Sequence, residues 1–142
     1  MPDIGGKLSA ARISLILSGD TVSPERIAEV LDYQPTRLVR KGQLVSRLPA
    51  LKAAESEWRH AVPLTKPLEH DADLDNFLQE LIGKKPLLKQ LEAEGMRVTL
   101  RLYVQSDSVQ MVYQLTPETI QMLAQLGMTL EVSSLSWGEI GG

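Results

Sequence analysis

Apolar residues recur along this chain at strand spacing in some stretches and at helical spacing in others. In RISLILSGD, Ile13, Leu15 and Leu17 alternate with Ser14 and Ser18. That is the period of a strand with one buried side, and Ser18-Gly19-Asp20 predicts the turn that ends it. VSPERIAEVL then shifts to helical spacing, with Ile27, Val30 and Leu31 on one face. Ser23 supplies a capping oxygen, and Pro24 takes the first helical position, where its missing N–H is not needed. Glu25 sets negative charge at the positive end of the helix dipole, one residue short of a strict capping box. Pro35 is expected to stop this helix. The pattern weakens over residues 33 to 56, but structureless loops of that length are uncommon in compact domains. Gln43 to Leu48 predicts a short edge strand and Ala50 to Glu55 a turn of helix. WRHAVPL, from Trp58, reads as a firmer strand ending at Pro63.

Asp71 or Asp73 is placed to cap the next helix, whose stripe is Leu74, Phe77, Leu78, Leu81 and Ile82. Gly83 and Pro86 interrupt it. Leu87, Leu88 and Leu91 resume the stripe before Gly95 stops it, which predicts a broken helix or two short ones. MRVTLRLYV alternates most strictly: Val98, Leu100, Leu102 and Val104 against Arg97, Thr99, Arg101 and Tyr103. Gln105 to Ser108 predicts a hairpin loop. Val109 to Leu115 is the expected returning strand, with Met111, Tyr113 and Leu115 on one face. LTPETIQMLAQL repeats the earlier junction, Thr116, Pro117 and Glu118 standing for Ser23, Pro24 and Glu25. Ile120, Leu123 and Ala124 are the expected buried face and Gly127 the stop. MTLEVSSLSW predicts a last strand, with Met128, Leu130 and Val132 opposite Thr129 and Glu131.

Helices with one apolar face and strands with one apolar side satisfy each other in a two-layer sandwich. The expected fold is therefore α+β, with a mainly antiparallel sheet and helices on one face. The element order suggests a ferredoxin-like unit with an added β-α-β portion. It spans residues 12–137, between a flexible leader, 1–11, and a flexible tail, 138–142. The repeated junction fits an old duplication, or simply the chemistry that any strand-to-helix turn selects.

Length and composition narrow the class. A chain of 142 residues is a common single-domain size, and 43% apolar with 23% charged residues is ordinary globular usage. The net charge of −3 gives no electrostatic reason to expect nucleic acid or an acidic membrane as partner. There is no cysteine, which excludes disulfides, thiol nucleophiles and thiolate metal ligands and fits a reducing compartment. No basic-then-apolar leader is present, and no apolar run nears the roughly 20 residues that span a bilayer. The expected location is the cytoplasm.

Candidate chemistry is sparse. Arg37, Arg40, Lys41, Arg47 and Lys52 occur with no acid between Tyr33 and Ala54. Arginine forks suit phosphate or carboxylate, although a solvated loop is the plainer account. No glycine-rich cradle or interleaved aromatics support nucleotide or base binding. Glu69, Asp71, Asp73, Asp75 and Glu80 form an acidic run. Its calcium-loop spacing fails, because Asn76 replaces the turn glycine and Ile82 the bidentate glutamate. His60 and His70 lack metal-ligand spacing, and His60 is expected as a half-buried hydrogen-bonder on a strand. No nucleophile elbow is present. No catalytic residue, metal or cofactor is assigned. Trp58 is expected in the core, and Trp137 at a surface or subunit contact. Arg97, Arg101, Tyr103, Thr129 and Glu131 should project together from the polar sheet face, as an interface or as a wet surface.

Several landmarks taken together resemble a bacterial family known as domain of unknown function 4279. They are the opening strand ending in SGD, the SPERIAEVL helix, QPTRLVRKG, the EW before the second helix and the TPETIQMLAQLGMTLEV ending. The resemblance covers roughly residues 12 to 137. It implies a small bacterial domain and supplies no activity. Asp20, Arg37, Lys41, Gly42 and Trp58 match the family's pattern, which implies a groove between the first turn and the basic loop, or equally a shared fold constraint. Where family members carry an aromatic near Leu38 to Arg40, this chain has Val39, which removes a stacking surface. The expected function is a non-enzymatic module that binds a protein partner, homodimerises or neutralises another bacterial protein. The alternative is a protein or enzyme that binds a small anion through the loop 37–52. The residues singled out are Asp20, Arg37, Arg40, Lys41, Trp58, Arg97, Arg101 and Tyr103; a nucleic-acid partner ranks below both readings.

Overall fold

The structure, a computed structural model, describes residues 8–47, 50–64, 72–106 and 114–136. In chain order the elements are β1 (Leu8–Ser18), α1 (Pro24–Leu31), β2 (Arg37–Val39), β3 (Leu44–Arg47), β4 (Ala50–Lys52), β5 (Glu57–Pro63), α2 (Ala72–Gly83), α3 (Lys85–Ala93), β6 (Arg97–Ser106), α4 (Pro117–Leu126) and β7 (Thr129–Ser136). Five strands form one sheet in the order β2-β5-β1-β6-β7, and β3 and β4 form a separate hairpin. The β2/β5, β5/β1 and β1/β6 pairs are antiparallel, whereas β7 runs parallel to β6. This is an α+β architecture with a mixed sheet. The ferredoxin-like order expected from the chain does not emerge from these pairings.

Register explains the layering. Leu17, Leu15 and Ile13 lie opposite Trp58, His60 and Val62 on β5 and opposite Val98, Leu100 and Leu102 on β6. Cross-strand partners share a side, so this row of apolar residues forms one face. Ile27 and Leu31 of α1, Leu74, Phe77, Leu78 and Leu81 of α2, Leu88 and Leu91 of α3 and Leu126 of α4 pack into the same core. Each helix thus supplies the apolar stripe that the sheet face requires.

Both repeated junctions have the capping chemistry their residues predict. Ser23 Oγ accepts from Arg26 N, and Thr116 Oγ1 accepts from Thr119 N. The stops differ from expectation in one case. α1 ends not at Pro35 but at Asp32, in the left-handed conformation with φ 57°. Gly127 closes α4 as expected. The second helical region is two helices, but Pro86 lies in the first turn of α3 rather than at the break, consistent with the tolerance of proline there.

Four expectations are corrected. Leu8 to Ala11, placed in the leader, belong to β1. Ala50 to Glu55 does not form a helical turn: its first residues are β4, which closes the hairpin with β3. Gln105 and Ser106 continue β6 instead of turning; the rest of that loop and most of the returning strand, including Met111 and Tyr113, lie outside the described residues, while Gln114 and Leu115 are not strand. On α4 the buried residues are Thr119 and Leu126, while Ile120 is 53% exposed and Ala124 is also exposed.

The rotation of α4 has an identifiable cause. Thr119 Oγ1 donates to Asp75 Oδ1 of α2 at 2.6 Å and lies 3.0 Å from Thr116 Oγ1. α4 therefore leans on α2, and the face that meets the core is Thr119, Met122, Leu123 and Leu126. A buried hydrogen bond to a carboxylate is worth more than a neutral one. Thr119→Val, which keeps the shape and deletes the donor, is expected to lower stability by about 1.5 kcal/mol in chemical denaturation. A change below about 0.5 kcal/mol would show that this bond does not seat the helix.

Candidate functional site

The second face of the sheet is built from the alternate residues. Arg37, Arg59, Ile16, Thr99 and Thr129 make one row across β2, β5, β1, β6 and β7. Ala61, Ser14, Arg101 and Glu131 make the next, and Pro63, Arg12, Tyr103 and Ser133 the one beyond. On the other side of the first row lie Val39, Glu57, Ser18 and Arg97. Arg97, Arg101, Tyr103, Thr129 and Glu131 therefore do project together, as their alternation predicts. The face is not simply wet, because Ser14, Ile16 and Val39 are buried on it.

Most of its charges are matched. Arg101 reaches Glu131 through Nε at 3.1 Å and Nη2 at 2.8 Å. Arg97 pairs with Glu55, and Arg59 with Glu57 at 2.8 Å. Arg12 stacks over the Tyr103 ring, 4.3 Å from its centroid, and the Tyr103 hydroxyl donates to Gln105 at 2.8 Å. Two groups stand apart. Arg59 Nε is buried with no hydrogen-bond partner among the described residues. Arg37, directly opposite Arg59 across the β2/β5 ladder, has no ion-pair or hydrogen-bond partner among them either. Like charges directly opposite on neighbouring strands destabilise a sheet.

Beside these two guanidiniums the surface is hollowed. An open recess of about 310 Å³ is lined by Ser18, Arg37, Val39, Val45, Ala53, Ala54, Glu55, Glu57 and Arg59. Val45 comes from the β3–β4 hairpin, so that hairpin forms one wall and the sheet face another. The hairpin is itself poorly covered: Leu44, Val45 and Leu51 are each about half exposed.

The remaining residues singled out in the sequence go elsewhere. Asp20 Oδ1 accepts from Ser56 N, Gly19 N donates to Ser56 O, and Ser56 Oγ accepts from Lys41 N. This stitches the turn after β1 to the basic loop, so the expected groove between them is instead a hydrogen-bonded joint. Arg40 leaves the loop to pair with Glu25 of α1 at 3.2 Å. The basic loop therefore does not converge on one anion. Trp58 is 1% exposed in the core, on the opposite side of the sheet from Arg37. His60 behaves as expected of a half-buried hydrogen-bonder: Nδ1 lies 2.8 Å from Gln34 O and its ring stacks on Tyr33 at 4.2 Å. Burial, then the bond to Glu80, holds the Tyr33 hydroxyl well above the usual phenol range. Trp137, His70 and Asp71 lie outside the described residues. No three acids or histidines among the described residues gather as a metal site.

The joint has a pH signature. Hydrogen bonds from the Ser56 side chain, then its backbone N–H, hold the Asp20 carboxyl below its usual range, with Lys41 adding a smaller pull. A depressed carboxylate contributes stability above its unfolded value and loses it as pH falls through the folded one. In an acid titration followed by NMR, Asp20 should titrate below ordinary aspartate, and the Ser56 amide resonance should move with it. Titration at the ordinary value, or a Ser56 amide that ignores it, would mean the joint is not held by this charge.

The family model described as Domain of unknown function (DUF4279) matches residues 9–137 of this chain. No curated protein and no solved structure matches it.

Proposed function

The chain belongs to the DUF4279 family, a domain family without a described activity, and from the geometry of its outer sheet face we propose that it is a protein-binding module. The working surface is the β3–β4 hairpin together with the arginine-bearing side of the sheet. The observation that carries this reading is the hairpin: Leu44, Val45 and Leu51 stay about half exposed, and Val45 lines the recess with Arg37. Aliphatic side chains left open to water lose about 25 cal/mol for each Å² that could have been buried. Clustered apolar exposure next to arginine is the composition of protein interfaces. Arg97, Arg101 and Tyr103 extend the same face and would form its polar rim. The alternative, a small anion held by the whole basic loop, is weakened because Arg40 is committed to Glu25 of α1. No helix of the described residues is long and apolar enough to cross a membrane.

The test is quantitative co-purification from cells that make the protein natively. Wild type should retain a companion in stoichiometric amount, or a second copy of itself, and Leu44→Asp with Leu51→Asp should release it. Retention of the same companion by the double variant would move the working surface elsewhere. Recovery of the wild type alone, as a monomer, would count against the reading altogether.

A further inference from the structure

We propose that the recess at Arg37 receives the C-terminal carboxylate of a partner polypeptide whose last residue is apolar. This rests on the protein-binding reading and adds the chemistry of the anchoring group.

Charge arithmetic selects the anion. Four ionised side chains line the recess: Arg37, Arg59, Glu55 and Glu57. Glu57 is taken by Arg59 and Glu55 by Arg97. Arg37 is left with no partner among the described residues, held opposite Arg59 in the ladder. An anion at Arg37 would screen that like-charge pair, turning a standing cost of the fold into binding energy. One uncompensated guanidinium matches a carboxylate, which carries a single charge and fits the planar fork in two hydrogen bonds. A phosphate group brings about −1.5 to −2, and the excess would face Glu55 and Glu57.

Shape selects the carrier. Apart from Ser18, the rest of the wall is Val39, Val45, Ala53 and Ala54, so the anion should travel with an apolar body. About 310 Å³ is the lower end of ligand-pocket volumes, enough for the last one or two residues of a chain rather than a longer peptide segment. A terminal residue supplies both the carboxylate and an apolar side chain in that space, and only one strand of chain must leave it. An internal glutamate uses the volume for its own side chain and needs two exits. The rest of the partner would lie on the exposed hairpin.

Titration by NMR, following Val39, Val45, Ala53 and Ala54, tests this with four probes. They are acetyl-Ala-Leu with a free carboxylate, the same dipeptide as its amide, acetyl-Leu-Glu-Leu amide, and inorganic phosphate. The free acid should shift these resonances at least about tenfold more tightly than any other probe, the factor expected from one hydrogen-bonded charge. Arg37→Gln should weaken it by about the same factor, while Lys89→Gln, on α3 and paired with Glu92, should not. Arg37 and Lys89 are both exposed, so both variants should keep the wild-type spectrum outside the immediate surroundings of the substituted residue. Equal binding of the amide or of the glutamate peptide, tighter binding of phosphate, indifference to Arg37→Gln, or no binding would each overturn the proposal. A peptide that fails to bind while Leu44→Asp with Leu51→Asp still releases a companion would remove this anchor and leave the protein-binding reading intact.

Discussion

Leu15→Ala is expected to lower stability by roughly 3–4 kcal/mol and the melting midpoint by about 10 °C. Leu15 is 0% exposed on β1, the central strand, between His60 of β5 and Leu100 of β6. Truncation removes the transfer energy of the lost groups and leaves a cavity, and the total depends on how far the site can close. Here it cannot close far. The backbone on each side is tied into an antiparallel ladder, and the helices pack over the same core. The result should therefore fall in the middle or upper part of the usual range for such changes. Ile120→Ala makes the contrast: the same kind of truncation at a 53% exposed position should change stability by less than about 0.5 kcal/mol. Equal losses at both positions in parallel denaturant curves would contradict the burial that separates β1 from the outer side of α4.

That contrast marks where the sequence was readable. Strict alternation in β1 and β6 identified the core side because a strand's period is fixed at two and one slip would invert it. Both helix starts were readable because serine or threonine followed by proline leaves the backbone few other options. The buried face of α4 was not readable from hydrophobicity. The residue that sets its rotation is Thr119, and its partner Asp75 stands on another helix. β3 falls within the strand expected over Gln43 to Leu48, but β4 and its pairing with β3 were missed for a related reason. The two strands hold only a few residues each, and pairing across the gap decides their conformation more than local preference does. The parallel placement of β7 beside β6 is likewise a property of the α4 crossover and not of either strand's pattern.

The candidate site was legible in pieces. Alternation placed Arg97, Arg101, Tyr103 and Glu131 on one side, and the basic run drew notice to Arg37. Arg59, Glu57 and Glu55 went unremarked, although Glu57 and Arg59 alternate with Trp58 and His60 and so had to face away from the core. What the chain could not disclose is that β2 lies against β5 with Arg37 opposite Arg59. That register comes from a short strand whose neighbour lies some twenty residues onward, with a hairpin between. Asp20 and Lys41 illustrate the opposite outcome. Asp20, which looked like a ligand, spends its carboxylate on Ser56, and Lys41 meets the same residue through its backbone amide, so both help to fix the turn that precedes α1.

Gly95→Ala should cost about 2–4 kcal/mol although it adds a single methyl group at an exposed position. Gly95 follows α3 with φ +103°, where a side chain strains the backbone by roughly 1–3 kcal/mol. A Cβ there would also stand 2.9 Å from Thr21 Oγ1, 3.0 Å from its Cγ2 and 3.3 Å from its Cβ. Turning Thr21 about χ1 moves the first two atoms but not the third, so the turn after β1 must shift as well. The same turn carries Asp20 and its bonds to Ser56, so the disturbance should reach the joint below the recess. A double-mutant cycle separates the two causes. In a Thr21→Ala background the collision with Oγ1 and Cγ2 is gone while the backbone strain remains, so Gly95→Ala should cost about 1 kcal/mol less than in the wild type. Full recovery in that background would make crowding the whole effect. No recovery would place it entirely in the left-handed backbone, and a loss below about 1 kcal/mol in the wild type would show that α3 and the turn after β1 are not packed as tightly as this contact requires.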